Sequence, residues 1–554
     1  VSEQLELFAP TGDAAARDAI RTRLDATLFV EAGAGTGKTA ALVDRFVALA
    51  TTDPAVPVES IAAITFTEKA AGELRDRIRR ALDAAGAVEA LEQLDRAAIC
   101  TLHAFAQRIL TEFPIEAGLP PRLEVRDEIS SRVAFEARWR VLVNDLLDDP
   151  ELADAILVML TAGVRLDHLR AVAEVLDDNW DLLDRIAPPP PLPELRIDAW
   201  CAELAEICAL ASQCRFEDDR LCIRLGELGR YREELVRAPD DIERVRLLRA
   251  PKPSFKVGNT GRATNWPDID DIRHRVGRLA DQRDAIIGEL LDAAIRRVVA
   301  ALAQSTATAV EVRRAGGELE FHDLLVHTRL LLRDPTNGLR VRTRLRERYQ
   351  RILIDEFQDT DPIQVELAAL LGSGAPVDPN QSWQEIDVDP GRLFFVGDPK
   401  QSIYRFRRAD IATFLDAARH FANDTPELLS CNFRTAPEVL SWINVVFDEL
   451  IQPFPGSQPA FRALDATRTC ANGTTDDHVA TGSRVVLLGV EPHTDDPAAD
   501  ALREREAADV ASVVQRAIAE RWPVFDRATN EWRDPALGDI AILLPARTSL
   551  AYLE

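Results

Sequence analysis

Apolar positions fall into two regimes along the chain. In the first 115 residues, short apolar runs such as TLFVEA (27–32) and AAITF (62–66) alternate with longer amphipathic stretches. Short continuous runs read as buried strands and the stretches after them as helices, which is the βαβα rhythm of a parallel sheet. From 116 to 315 the pattern changes to Ala, Leu, Glu, Asp and Arg at helical spacing, with few strand signals. Two loops punctuate it, the proline-rich IAPPPPLPEL (186–195) and PKPSFKVGNTG (251–261). Strand signals return at RILID (351–355) and RLFFVGD (392–398). A further α/β segment begins near Leu428, where RVVLLGV (484–490) and DIAILLP (539–545) read as strands around the helical ALREREAADVASVVQRAIAE (501–520). No internal repeat is evident. The pattern predicts an α/β protein whose sheet is interrupted by a large helical insertion, and 554 residues are too many for one core.

Composition adds exclusions. Hydrophobic residues make up 46% and charged residues 29%, the balance of a globular protein. No apolar run of about 18 residues occurs, so no membrane span is expected. The opening VSEQLELFAP lacks the basic and apolar regions of a secretory signal, so a cytoplasmic address is expected. Seven cysteines show no CxxC pair, and the group Cys201, Cys208, Cys214 and Cys222 fits no zinc or iron–sulfur spacing; buried helix cysteines are expected. The net charge of −26 argues against a nucleic-acid partner in general. That argument is weak for a protein that grips one strand in a narrow groove, where local charge decides. The run Arg340, Arg342, Arg344, Arg346 and Arg348 reads as a solvated helix leading into RILID, in preference to a nucleic-acid track.

Candidate chemistry begins at LFVEAGAGTGKT (28–39), where an apolar strand enters a glycine-rich turn and then the amphipathic AALVDRFVALA. This is a P-loop in its proper context. The backbone from Ala32 through Gly33, Ala34, Gly35, Thr36 and Gly37 offers N–H groups to phosphates, and the helix N-terminus adds its positive end. Lys38 is expected to reach the β- and γ-phosphates of ATP and Thr39 to ligate Mg²⁺. Ala32 stands where the strict pattern asks for glycine. A second candidate is RILIDEFQDTD (351–361), an apolar strand ending in two acids. Asp355 is expected to hold Mg²⁺ and Glu356 to polarise the attacking water.

Further stretches resemble the UvrD/Rep superfamily 1A DNA helicases, and within them most the RecB/AddA helicase–nuclease branch. ITFTEKAAGELRDRI (64–78) resembles motif Ia, TLHAFAQRIL (101–110) motif Ib, and DEFQDTDPIQ (355–364) motif II. FVGDPKQSIYRFRRAD (395–410) resembles motif III, with the Pro399-Lys400 version of the RecB/AddA branch. LLSCNFRTAPEVLSWINVVF (428–447) resembles motif IV, and DIAILLPARTSLAYLE (539–554) the strand after it. The resemblance implies that Gln401 senses the γ-phosphate, that Arg434 is an arginine finger and that Phe433 stacks on adenine. It also implies that Thr65, Phe66, Tyr404 and Phe406 meet DNA, and that His103 and Arg407 touch DNA or couple it to the nucleotide.

The implied organisation is a RecA-like domain 1A (1–115 and 316–426) split by a helical 1B insertion (116–315), then a partial RecA-like domain 2A (427–554). The implied activity is ATP- and Mg²⁺-dependent 3′→5′ translocation and unwinding in double-strand break processing or repair. Single-stranded DNA and duplex junctions are the implied partners, together with the second subunit of a helicase–nuclease. Two departures stand out. PTGDAAARDAI (10–20) lacks the Gln that the family offers to adenine, leaving Asp13 or Arg17 as substitutes. The family's motifs V and VI are not in these 554 residues, so this stretch by itself is expected to be impaired as a motor. The rival expectation is an ATP- and DNA-binding module, or an accessory protein without motor output.

Overall fold

The computed structural model describes residues 12–422, 425–467, 485–489, 498–526, 529 and 531–554. They form two compact units, one of Val1–Ala106 with Arg329–Glu554 and one of Gln107–Thr328.

The first unit is built on a six-stranded sheet. Its strands are β1 (Leu28–Ala32), β2 (Ile61–Thr65), β3 (Ala98–Thr101), β4 (Arg351–Ile354), β5 (Leu393–Gly397) and β6 (Glu427–Leu429), in the spatial order β3-β2-β4-β5-β1-β6. All neighbours are parallel. A parallel sheet carries helices on both faces, so its strands read as continuous apolar runs rather than alternating ones. Accordingly β2, β3 and β5 are buried at every position. Leu28, Val30, Ile61, Ala63, Ile99, Leu353, Phe394 and Val396 form one core with α1 (Ala14–Thr22) and α2 (Lys38–Thr51). The α2 residue Arg45, only 1% exposed, donates to the carbonyls of Ile20, Arg23 and Ala26, and so ties the end of α1 to the sheet.

The arginine-rich stretch is a helix, Gly338–Arg348, as expected, but it is not fully solvated. Arg342 is buried and donates to the carbonyls of Leu332 and Ala375, and Arg346 bonds Gly372 and Asp389. These side chains anchor the helix beside the sheet.

Two expected strands do not form among the described residues. Residues 485–489 and 540–546 are irregular, and Ile542, Leu543 and Leu544 are 48%, 93% and 37% exposed. An apolar run becomes a buried strand only when a ladder partner takes its N–H and C=O groups, and these segments pair with no described strand. The helix between them is present at Ala499–Ala519.

The second unit is helical. Its spine is Ile269–Gly316, 48 residues or about 70 Å at 1.5 Å per residue. Asp268 caps its start by accepting from Asp271 N–H (3.0 Å), and Gly317, at φ +71°, ends it in the left-handed conformation that glycine tolerates. Its apolar stripe feeds two cores. One gathers Ile272, Val276 and Leu279 with Trp200, Leu225 and Tyr231; the other gathers Leu290, Val298 and Leu302 with Ile156 and Met159. Of the cysteines, Cys201, Cys208 and Cys222 lie in helices, whereas Cys100 and Cys431 lie in strands. No disulfide joins the described cysteines, and among the described residues no group of three or more His, Cys, Asp and Glu is placed to hold a metal ion by itself. Cys470 lies outside the described residues.

Candidate nucleotide site and nucleic-acid face

The site lies at the carboxyl ends of the strands, the usual ligand edge of an open α/β sheet. After β1 the chain turns through Gly33–Gly37 into α2. Gly35 and Gly37 have φ of +75° and +89°, values that favour glycine. Space is also tight: a Cβ at Gly35 would come within 2.8 Å of the Asn432 amide, and one at Gly33 would collide with Leu464. Ala32 is tolerated because it is still in β1 and fully buried, so its methyl joins the core instead of lining the turn. Thr36 closes the turn by donating to the Gly33 carbonyl (2.8 Å). No side chain caps the start of α2 and its first turn has no acid, so its N–H groups are available to an anion.

Lys38 heads this helix. Its ammonium donates to Gln401 Oε1 (3.0 Å) and lies 3.7 Å from Glu356 Oε2. The structure thus brings together residues 38, 356 and 401 from three separate segments. Asp355, at the end of β4, is buried and donates its N–H to the Ile64 carbonyl (2.9 Å). Burial first, and the Glu356 charge second, push its carboxyl up to about 6. Asp359 is pushed up to about 6 by the same causes. Glu356 adopts φ +50°, ψ +44°, a conformation costing a non-glycine residue about 1–3 kcal/mol. Its side chain is held by Gln358, whose Nε2 donates to Glu356 Oε2 (2.7 Å) while its Oε1 accepts from Asp398 N–H (2.9 Å).

The residues present fit a magnesium ion: Asp355 is a poorly solvated carboxylate in the same site as the Lys38-Thr39 helix start, and a cation would relieve the cost of its burial. Metal binding would compete with a proton on Asp355. Magnesium–nucleotide affinity is therefore expected to hold above pH 6 and to fall by about tenfold per unit below it, with proton release on binding. Calorimetric titration at pH 5.5 and 7.5 in buffers of different ionisation enthalpy checks this; equal affinities without proton release would refute it.

The far side of the P-loop is shaped by the NFR segment. Asn432, buried, donates to the Ala34 carbonyl (2.7 Å) and accepts from the N–H groups of Arg434 (2.8 Å) and Thr435 (2.7 Å). Phe433 N–H donates to the Gly35 carbonyl (3.0 Å) and its ring is 45% exposed. The Arg17 guanidinium stands over that ring, 5.0 Å from its centroid. Arg17 also donates to both Asp13 carboxylate oxygens (3.0 and 2.8 Å) and to the Thr36 carbonyl (2.9 Å). Asp13 additionally accepts from Cys431 N–H (3.2 Å). Burial pushes the Asp13 carboxyl up, but the Arg17 bonds and the Cys431 N–H hold it below the usual range. Of the two expected substitutes for the missing Gln, Asp13 is enclosed by these bonds and Arg17 is the side chain beside Phe433.

The expected DNA contacts separate into three groups. Phe66, Tyr404 and Phe406 form a ladder, with centroids 4.8 Å apart for the first pair and 5.7 Å for the second. Phe406 is 79% exposed, which disfavours a core-packing role. Thr65 is buried and its hydroxyl donates to the Thr67 carbonyl, whereas His103 is half-buried in the first turn of Leu102–Glu112. The Arg407 side chain lies outside the described residues, although its backbone belongs to the turn Arg405–Arg407. Replacing Phe406 with Ala is expected to weaken single-strand binding by about 1–3 kcal/mol with little sequence dependence, since every base has a π-face. Fluorescence anisotropy with several homopolymer oligonucleotides checks this; unaltered affinity with a lowered melting temperature would assign Phe406 to packing.

Reading the sequence alone missed Gln358, Asp398 and Asn432. The Gln of FQDT and the Asn of NFR were visible inside the motifs, but nothing local showed what they would bond.

A strand, a glycine-rich turn and a lysine-headed helix share one parallel sheet with the Asp355–Glu356 strand end, and a large helical insertion interrupts that sheet. This is the P-loop, RecA-like class of α/β fold. The family model of the UvrD/REP helicase N-terminal domain matches residues 13–218 and 261–422, and the chain belongs to that family. Among curated proteins it is similar to the A subunit of the ATP-dependent helicase/nuclease of Moorella thermoacetica, 30% identical over 509 residues, covering 79% of this chain and 35% of that one. The protein of the same name from Desulforamulus reducens is 27% identical, covering 97% of this chain and 49% of its own. That from Bacillus pumilus is 26% identical, covering 93% and 46%. The chain thus spans between about a third and a half of the length of these relatives. Among the described residues, no helix is long and apolar enough to cross a membrane.

Proposed function

We propose that the protein to which this chain belongs is an ATP- and Mg²⁺-dependent DNA helicase that translocates 3′→5′ on single-stranded DNA in double-strand break processing or repair, in the cytoplasm. The observation that carries this reading is the meeting of Lys38, Glu356 and Gln401 in one site, with the Gln401 turn continuing into the Tyr404–Phe406 ladder. Nucleotide state and strand contact then share a single short segment. In this reading 1–115 and 316–426 are domain 1A, 116–315 is domain 1B and 427–554 belongs to domain 2A. The relatives are each named as one subunit of a helicase/nuclease, which supports a second subunit in the assembly and a nuclease elsewhere in the protein.

The geometry and the family resemblance support the following roles. The P-loop N–H groups and Lys38 bind the triphosphate. Asp355 and Thr39 would hold the magnesium ion, which supplies charge neutralisation at the phosphates. Glu356, turned into place by Gln358, orients and deprotonates the attacking water. Gln401 reports the γ-phosphate to the aromatic ladder, and Arg434 stabilises charge in the transition state. Phe433 and Arg17 flank the base. Glu356→Gln keeps the Gln358 contact but cannot take a proton. In the full-length protein it is expected to retain ATP and DNA binding while hydrolysis falls by about 10²–10⁴-fold. A parallel loss of nucleotide affinity and rate would make Glu356 structural. Intact hydrolysis would take Glu356 out of the catalysis and favour the rival reading of this chain as an ATP- and DNA-binding module, or an accessory subunit, without motor output.

A further inference from the structure

We propose that Lys400 is a positioning residue for ATP hydrolysis: it neutralises the buried Asp398 carboxylate that sets the orientation of the Gln401 amide, and Glu31 holds it in place. The proposal rests on the reading of Gln401 as the γ-phosphate sensor.

A glutamine amide has one accepting and one donating end, and its neighbours decide which end faces the site. Asp398, as a carboxylate, can only accept. Its Oδ2 takes the Gln401 Nε2 hydrogen (2.9 Å), which leaves Gln401 Oε1 facing Lys38 (3.0 Å). Asp398 therefore fixes the polarity of the sensor. It is only 1% exposed, and a carboxylate buried to that degree needs a charge partner. The Lys400 ammonium, 3.1 Å from Asp398 Oδ1, is that partner, and the Lys400 N–H donates to the same oxygen (3.1 Å). The two Asp398 oxygens are thus divided between Lys400 and Gln401.

Lys400 is itself anchored on the neighbouring strand. Its ammonium lies 3.8 Å from Glu31 Oε1, and Glu31 is opposite Gly397 in the β1–β5 register, one residue before Asp398. Glu31 also meets Arg462 (3.3 Å), whose side chain is 51% exposed. The ammonium is committed to two carboxylates, so Lys400 acts through Asp398 and not on phosphate. The strand that leads into the P-loop and the strand that leads into the sensor are joined by one lysine.

The test is steady-state ATP hydrolysis by the full-length protein with saturating single-stranded DNA, alongside binding of a fluorescent ATP analogue. Lys400→Met is expected to lower kcat by about 10–100-fold, the scale on which a small misplacement of a catalytic group acts, with KM and analogue affinity within about threefold of wild type. Lys400→Arg should restore most of the rate, because a guanidinium can also pair with Asp398. Glu31→Gln should give a smaller fall in kcat, and it tests the proposal independently if Lys400→Met does not fold. Gln401→Ala in the same assay separates the two levels. If Gln401→Ala loses turnover and Lys400→Met does not, the positioning role of Lys400 is overturned while the sensor reading stands. If Gln401→Ala turns over normally, the sensor reading falls and this proposal with it. If Lys400→Arg is as slow as Lys400→Met and both melt at lower temperature, Lys400 is structural and the proposal is overturned.

Discussion

Lys38→Ala in the full-length protein is expected to abolish DNA-stimulated ATP hydrolysis, with a loss on the order of 10³-fold or more. The reason lies in charge placement. Lys38 is the lysine of the P-loop, and its side chain is only 10% exposed. A cation in such a poorly solvated pocket interacts with phosphate charge more strongly than it would in water, and removing one preorganised donor from a charged transition state typically costs about 10²–10³-fold. Lys38 is also the residue on which the two flanking groups converge, Gln401 at 3.0 Å and Glu356 at 3.7 Å. Its removal would take from Glu356 the cation 3.7 Å away and from Gln401 Oε1 the donor 3.0 Å away, so the loss should exceed that of one phosphate contact. Lys38→Arg is expected to recover little, because the left-handed turn at Gly37 and the α2 start fix where the charge must lie. Malachite-green phosphate release with and without DNA is the measurement. Turnover within threefold of wild type would remove the P-loop assignment and the site built around it.

The sheet was legible where its physics is local. LFVEA, IAAIT, RILI and LFFVG are strands buried on both faces, and such strands announce themselves as apolar runs of four or five residues. Ala98–Thr101 and Glu427–Leu429 gave no comparable signal, being only four and three residues long and carrying Cys, Thr and Glu. The opposite failure occurred at 540–546, where the apolar pattern is strong but no ladder partner is found among the described strands. Hydrophobicity proposes a strand, and only pairing makes one. The arginine helix shows a third limit: alternating Arg along 340–348 reads as solvated, yet helical spacing turns Arg342 and Arg346 inward to carbonyls left over at nearby segment ends.

The site divides along the same line. Lys38, Thr39, Asp355 and Glu356 were legible because a phosphate loop and a strand-end acid pair have fixed local spacing. Gln358, Asp398 and Asn432 were not: Gln358 and Asn432 bond partners far along the chain, and Asp398, whose side-chain partners are local, matters because the fold buries it. Gln358 bonds Asp398 from 40 positions away, and Asn432 bonds Ala34 from 398. No window of sequence contains both ends of such a bond. Arg17 stands between the two groups: the Gln missing from PTGDAAARDAI pointed to it or to Asp13, but only the fold sets it over Phe433.

Arg434→Ala should be the other large effect, lowering kcat in the full-length protein by about 10³–10⁵-fold, the range for an arginine that stabilises charge on a transferring phosphoryl group. The structure supports this by what holds the Arg434 backbone. Its N–H and that of Thr435 both donate to Asn432 Oδ1, and the Asn432 amide in turn donates to the Ala34 carbonyl of the P-loop. A Cβ at Gly35 would touch the Arg434 Cβ at 3.0 Å, so this arginine begins its reach at the loop itself. Because Asn432 ties the Arg434 backbone to the loop through its own amide, Arg434→Ala should leave the loop folded and nucleotide affinity changed by less than about tenfold, on the view that the arginine acts mainly in the transition state. Arg434→Lys should remain slow, since an ammonium cannot reproduce the planar fork of donors. Asn432→Ala offers the contrast: it releases the Ala34 carbonyl and two N–H groups together, and it should weaken nucleotide binding as well as rate. Rapid-quench single-turnover hydrolysis, paired with equilibrium binding of a fluorescent ATP analogue, separates these outcomes. If Arg434→Ala lost affinity and rate in equal proportion, the arginine would be a ground-state phosphate ligand, and its role as a finger would have to be abandoned.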